Sequence, residues 1–305
     1  ETVKSSDLLF KCIPFTLGTM GYLTRIVVKV RKAKPFVESH NIKFDNYNDF
    51  YDAITNVEPE YTFCDSTIYS STEFVLVKGK YVSKIPPSHS LTNVVNKDVY
   101  YEEIRKPGKE IMYMKTYDWI YRFSTDLYYT TMELPSFLKS KTLRQMIPRN
   151  MIEPIQRMIG TFMPVNIENI CQDVLIPAEK AKEFFVWYDE NISLYPLYNV
   201  PVKSPVQTSI FWPDTTHFID FGVGYGILPK NEAPSTTHDM CRSIETKMLS
   251  LGGRKLPYTD THLSEELFWK KVFGSKNKKL YEKMRAKYKC SNFPTVYDKI
   301  KSKHI

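Results

Sequence analysis

Two spacings of apolar residues divide this chain. Alternation at period two predicts strands over residues 36–44 and 61–70, and a strand pair over 73–83 that turns at Lys78-Gly79-Lys80. Residues 109–123, 170–176, about 192–200, 216–223 and 254–259 are further strand-like runs. Helical spacing marks 47–57, then 178–190 with Ala181, Phe184, Phe185 and Tyr188 on one face, and 237–250 with Met240, Cys241, Ile244 and Met248 inward. Residues 134–163 are helical in outline, jointed at Pro135, Pro148 and Pro154, and three more helices close the chain. Near the start, the turn at Gly18 and Gly21 opens into Ile26, Val27, Val28 and Val30, which predicts a strand over 22–30. Pro86-Pro87 and Pro107-Gly108 punctuate a polar surface connection. The order strand, helix, strand, strand, helix, strand predicts an α+β fold, a ferredoxin-like antiparallel sheet with helices on one face and the other face free. No internal repeat or heptad is visible.

Composition narrows the class. A chain of 305 residues with 42% hydrophobic and 14% aromatic content can bury a large core. No apolar stretch reaches the length of a membrane span, and no signal peptide opens the chain. Glu1 in place of an initiator Met, followed at once by what reads as the end of a domain, predicts a longer parent chain. Five widely spaced cysteines and six unpaired histidines indicate neither a disulfide framework nor a metal site, and a reducing compartment is expected. Residues 270–305 hold twelve Lys/Arg against two Asp/Glu, a net of +10 that leaves residues 1–269 at −2. Such an end suits nucleic-acid phosphate or an anionic membrane face. However, Leu280, Met284 and Tyr288 recur every four residues, and this favours a docked amphipathic helix with a solvated charged side. No nucleic-acid partner is expected.

Several short segments carry candidate chemistry. The glycines of Thr16-Leu17-Gly18-Thr19-Met20-Gly21 let backbone amides approach a bulky ligand. On the strand Cys171-Gln172-Asp173-Val174-Leu175-Ile176, period two puts Gln172, Val174 and Ile176 on one face and Cys171, Asp173 and Leu175 on the other. Within Phe218-Ile219-Asp220-Phe221-Gly222-Val223-Gly224-Tyr225, Asp220 stands between apolar neighbours and must meet a donor or titrate upward. Tyr195-Pro196-Leu197-Tyr198, Leu256-Pro257-Tyr258-Thr259-Asp260, Glu266-Leu267-Phe268-Trp269 and Phe293-Pro294 complete the series.

Taken in order over almost the whole chain, these segments resemble the Δ24-sterol reductase family of vanillyl-alcohol-oxidase-type flavoproteins, in its C-terminal part. The resemblance implies that residues 1–34 are the last helix, flavin-contacting loop and final strand of an FAD-binding domain, and that 35–305 are a substrate-binding cap. It implies FAD contacts at Gly18, Thr19, Gly21 and Gln172, and substrate contacts at Tyr195, Asp220 and Tyr225. It also implies NADPH as reductant, a sterol or other apolar substrate, and a partner segment on the N-terminal side that cradles the FAD phosphates. The expected location is intracellular, at the endoplasmic reticulum membrane, with a membrane surface as a candidate partner.

The implied reaction is transfer of hydride from reduced FAD to a sterol side-chain alkene. An isolated alkene accepts hydride poorly, so an acid is needed near the flavin. Tyr258 is the first candidate, with Asp260 or Asp220 setting its hydrogen bonding, and Arg122 is the second. The chain departs from the family around Arg122: Phe123 stands for a His, Thr125 for an Arg, and Tyr129-Thr130 for Trp-Glu. Leu17 stands for a Cys. Two other readings follow: an FAD-linked oxidoreductase of the same fold acting on an alcohol or sugar, and a catalytically silent binding module derived from it.

Overall fold

The computed structural model describes residues 2–92, 100–125, 167–203, 209–210, 217–229 and 237–302. The helices expected over 134–163 lie outside the described residues. Short helix α1 (Leu8–Cys12) precedes strand β1 (Phe36–Phe44), helix α2 (Tyr47–Thr55) and the hairpin strands β2 (Phe63–Ser70) and β3 (Glu73–Val82). Helix α3 (Tyr100–Glu103), strand β4 (Ile111–Lys115) and helix α4 (Thr116–Ile120) follow. Then come β5 (Ile167–Pro177), α5 (Ala181–Asn191), β6 (Leu197–Lys203), β7 (His217–Pro229), α6 (Thr237–Ser250) and β8 (Arg254–Lys255). The chain closes with α7 (Glu265–Leu267), a π-helical turn (Phe268–Phe273), α8 (Ser275–Lys287) and α9 (Val296–Ile300).

All eight strands join one antiparallel sheet in the order β4-β1-β3-β2-β6-β7-β5-β8. The expected α+β architecture, an antiparallel sheet with helices packed on one face, is what the chain adopts. The order resolves into two ferredoxin-like quartets. Strands one to four run 4-1-3-2, strands five to eight repeat that order in reverse, and the quartets meet where β2 pairs β6. This repetition is topological; the sequences of the halves are too dissimilar to reveal it.

The helix side of the sheet holds the largest core. Asn46 caps α2 by accepting from the Asp49 amide at 3.0 Å, and Phe50 and Ile54 face the sheet. Tyr47 stacks on Phe185 of α5 at 4.1 Å between ring centres. With Phe184, Ile244 and Met248 these residues cover Ile68, Phe74, Leu76, Val174, Ile176, Phe221 and Val223.

The opposite face is not wholly free. Under the first quartet a second cluster, with Val75, Val77, Tyr100, Met112 and Trp119, closes it. Buried on both sides, β3 is continuous through Gly79 and does not turn at Lys78-Gly79-Lys80 as expected. A Cβ on Gly79 would come within 2.8 Å of the Trp119 ring, so glycine serves close approach here.

Other boundaries also differ from expectation. The strand-like run 109–123 is β4 followed by α4, because the chain bends to bury Trp119. The run 192–200 becomes a strand only from Leu197, after Ser193 takes a positive φ of 52°. Only Arg254–Lys255 of the run 254–259 pairs as a strand. Residues 22–30 form no strand: among the described residues none pairs with them, and Tyr22, Val27 and Val30 are more than 80% exposed.

A third cluster joins both ends of the chain. Cys12 and Met20 pack with Phe268, Trp269, Tyr281, Met284, Val296 and Tyr297. Among the described residues no helix is long and apolar enough to cross a membrane.

Candidate active site

Strand register assembles the site on the face away from α2, α5 and α6. Thr67 on β2 pairs Tyr198 on β6, Tyr198 pairs Gly222 on β7, and Gly222 pairs Asp173 on β5. These four positions form a line across the seam between the quartets, and Asp220 lies two residues along β7 on the same face. A Cβ on Gly222 would stand 3.3 Å from both Asp173 Oδ1 and Tyr198 Cβ. The missing side chain lets those neighbours lean together.

Two carboxylates share this surface. Asp173 is buried, and the Tyr258 hydroxyl donates to its carboxylate. Burial raises the Asp173 pKa, while the Tyr258 hydrogen bond and the Lys255 charge pull it back. Asp220 is pushed up to about 8, first by burial and then by the negative charge of Asp173. Its Oδ1 is buried and has no hydrogen-bond partner among the described residues. A buried carboxyl raised this far beside a second carboxylate is an arrangement that can offer a proton at neutral pH.

The line continues to Arg122. This residue is 7% exposed and ion-paired to buried Asp65, with Nη1 donating to the Trp119 carbonyl at 2.9 Å. Its guanidinium lies 3.9 Å from the Trp119 ring centre and 4.2 Å from that of Phe123, and the Phe123 ring meets Tyr198 edge-on. Burial raises the Asp65 pKa against the lowering pull of Arg122.

Behind the sheet, on the helix side, lies a buried polar knot. Lys255, wholly buried, pairs with Glu245 of α6 at 3.1 Å and donates to Gln172 Oε1. Gln172 Nε2 donates to the Asp260 carbonyl at 3.1 Å, and Glu245 accepts from the His262 amide at 2.7 Å. The knot fixes the corner that carries Tyr258.

The structure therefore divides the residues singled out in the sequence. Tyr258 and Asp220 meet on one face through Asp173, and Arg122 stands at the other end of the same line. Gln172, expected at the flavin ring, faces the helices with Val174 and Ile176, and its amide is spent on Lys255 and the Asp260 carbonyl. The Asp260 side chain is exposed, and the partner of Tyr258 is Asp173, neither Asp260 nor Asp220. Tyr195 packs against the helix-side core and donates to Asp189 at 2.7 Å. The Tyr225 side chain lies outside the described residues.

The glycine turn is held from behind. The Thr19 hydroxyl shares a 2.6 Å hydrogen bond with Tyr281, Arg285 donates to the Thr19 carbonyl at 2.6 Å, and Lys299 to that of Leu17 at 2.6 Å. Gly18 and Gly21 have φ of 76° and 122°, and a Cβ on Gly21 would meet nothing within 4 Å. The turn presents bare backbone at its two glycines, which fits contact with a flat cofactor; Thr19 is turned inward. Among the described residues no group of three or more His, Cys, Asp or Glu is placed to hold a metal.

Sequence reading missed the roles of Asp65, Lys255 and Glu245. Asp65 had a signal: it alternates with Phe63 and Thr67 on a strand, at a position the cluster around Trp119 buries. The Lys255–Glu245 pair had none, since it depends on how α6 packs.

No family model matches the chain. Among solved structures, the chain is similar to the Bermuda grass isoallergen BG60 (11% identity, 87% of this chain and 55% of that one, TM-score 0.49) and to a solvent-stable cholesterol oxidase (10%, 85% and 57%, 0.42). Curated relatives are more specific. The chain is similar to the Delta(24)-sterol reductase of Homo sapiens (25% identity, 97% of this chain, 59% of the relative) and that of Arabidopsis thaliana (23%, 97% and 59%). A Delta(24)-sterol reductase homolog of Caenorhabditis elegans is similar at 23% identity, over 98% of this chain and 60% of its own. The family resemblance read from the segments is thus borne out, and the match falls on the C-terminal part of those relatives. The chain spans about three fifths of their length.

Proposed function

We propose that this chain is the substrate-binding cap of an FAD-dependent reductase that saturates a sterol side-chain double bond, using NADPH as reductant. In this reading residues 1–34 are the edge of the FAD-binding domain, residues 35–305 are the cap, and a further segment cradles the FAD phosphates. The enzyme works inside the cell, at the endoplasmic reticulum membrane. The observation that carries the reading is the similarity to sterol reductases over 97% of the chain. A sheet face bearing Asp173, Asp220, Tyr198 and Tyr258 gives that similarity a site.

Reduced flavin, when bound, supplies hydride. The chain's own tasks are to meet the cofactor with the backbone of Gly18 and Gly21, to seat the apolar substrate against the sheet, and to hold a proton ready. Tyr258 and Asp173 orient the polar end of the site. In this reading the exposed apolar run Leu23, Ile26, Val27, Val28 and Val30 pairs with the sheet of the cofactor domain at its edge.

A second reading rests on Arg122. Its guanidinium is committed to Asp65 and to three aromatic rings, which suits a silent binding module better than a cation that meets a substrate. Expression of the chain together with a flavin-binding segment separates the readings. NADPH-dependent reduction of a desmosterol-like alkene supports the first. Absence of flavin reduction by NADPH supports the second, and oxygen-coupled oxidation of alcohols or sugars would replace both with another oxidoreductase of this fold. The chain alone is expected to retain little flavin, read from its absorbance spectrum.

A further inference from the structure

We propose that Asp220 is the acid that delivers the proton to the alkene, and that Asp173 and Tyr258 are positioning residues that hold that proton in place. This rests on the reductase reading above and assigns a role it leaves open. Tyr258 is the natural first candidate from sequence, yet its hydroxyl proton is directed into the Asp173 carboxylate, and protonating an alkene from it would strip that carboxylate of its donor. Asp220 has no such commitment. One of its oxygens is buried and lacks a partner among the described residues, a cost that a neutral carboxyl reduces and a carboxylate aggravates.

Geometry links the two acids. Asp173 pairs directly with Gly222, and Asp220 is the next residue of β7 on that face, so the carboxyls are diagonal neighbours about 7 Å apart at the backbone. Gly222 leaves the space between them open. Burial raises Asp173 against the pull of the Tyr258 hydrogen bond and the Lys255 charge, and the negative charge of Asp173 adds to the burial that raises Asp220. Among the described residues Tyr198 also interacts with Asp220, and beyond it lie Asp65, Arg122 and Tyr100. In the step itself the carbon–carbon π bond breaks. A proton passes from the Asp220 carboxyl to one carbon, and hydride from a reduced flavin adds to the other. Two C–H bonds form, the alkene gains two electrons that the flavin loses, and the Asp220 carboxylate recovers its proton from water.

The test has two arms. Infrared titration of the 305-residue chain should show a protonated-carboxyl stretch that disappears near pH 8, is absent in Asp220→Asn and is retained in Asp220→Glu. In Asp173→Asn its midpoint should move to lower pH, with near-ultraviolet circular dichroism confirming the fold of each variant. No such band in the wild-type chain at neutral pH, or its survival in Asp220→Asn, overturns the proposal. In the second arm, the chain joined to its flavin-binding segment is followed in a single turnover with a sterol alkene. Asp220→Asn should slow alkene reduction about 100-fold or more, with flavin reduction by NADPH unchanged. An unchanged alkene step overturns the role. A wild-type protein whose flavin NADPH does not reduce would instead sink the reductase reading, and the infrared arm decides on the Asp220 proton regardless.

Discussion

Asp220 should leave a mark on stability as well as on chemistry. Its folded-state pKa of about 8 lies above the ordinary 3.8, so between those values the native chain keeps a proton that the unfolded chain has released. The stability tied to that proton is complete below pH 3.8 and is lost as pH rises through about 8. Asp65 and Asp173 are raised as well and act in the same direction. Urea unfolding across this interval should therefore show stability falling with pH, and Asp220→Asn should flatten part of the slope. A slope unchanged by the substitution would mean that Asp220 titrates normally. The sequence exposed this residue because a lone carboxylate between Ile219 and Phe221 has few ways to be satisfied. It could not reveal that Tyr258 would turn to Asp173, because that pairing needs the register of β5 against β7 and β8.

Among the elements, those that bury a single face were the easiest to read. The helix 237–250 is formed over the expected residues, since its inward stripe of Cys241, Ile244 and Met248 meets one sheet surface. The three longest mismatches share a feature: packing, or its absence among the described residues, overrode the local pattern. Gly79 resembles a turn residue and is a strand residue beneath Trp119. Residues 109–123 look like one strand until Trp119 draws the chain into α4. The run 22–30 has every strand propensity and no partner among the described residues. Gly79→Ala puts this to measurement: with the new methyl within 2.8 Å of the Trp119 ring, the urea midpoint should fall by an amount equal to about 1–3 kcal/mol, accompanied by a change in tryptophan fluorescence. A silent substitution would place Trp119 elsewhere.

For the whole molecule, the two ends of the chain are one structural unit. Arg285, 5% exposed, donates to the carbonyls of Thr19, Phe293 and Pro294, which ties the glycine turn to the C-terminal helices. Arg285→Ala should orphan those carbonyls at a cost of about 1–3 kcal/mol and speed protease cleavage across residues 8–30, with Arg285→Lys intermediate because it lacks the planar fork. Equal cleavage rates would show that the turn is held by packing alone. The basic charge of 270–305 belongs to the same unit: Lys276, Lys279, Lys283 and Lys287 lie on the solvent side of α8, while Tyr281 and Met284 face inward, as an amphipathic helix requires.

Along the sheet, among the described residues, the quartets share three strand pairs, Ser66 with Asn199, Thr67 with Tyr198 and Ile68 with Leu197, whereas β1 and β3 share nine. A ladder that short has few bonds to break before its amides meet deuterated water. Deuterium uptake at Thr67, Ile68 and Tyr198 should outpace that at Leu76 and Val77, and a bulky hydrocarbon wedged along Tyr198 and Gly222 should slow it, since it would brace the joint from one side. Uptake that is uniform from β1 to β7 would mean that the sheet breathes as a single plate.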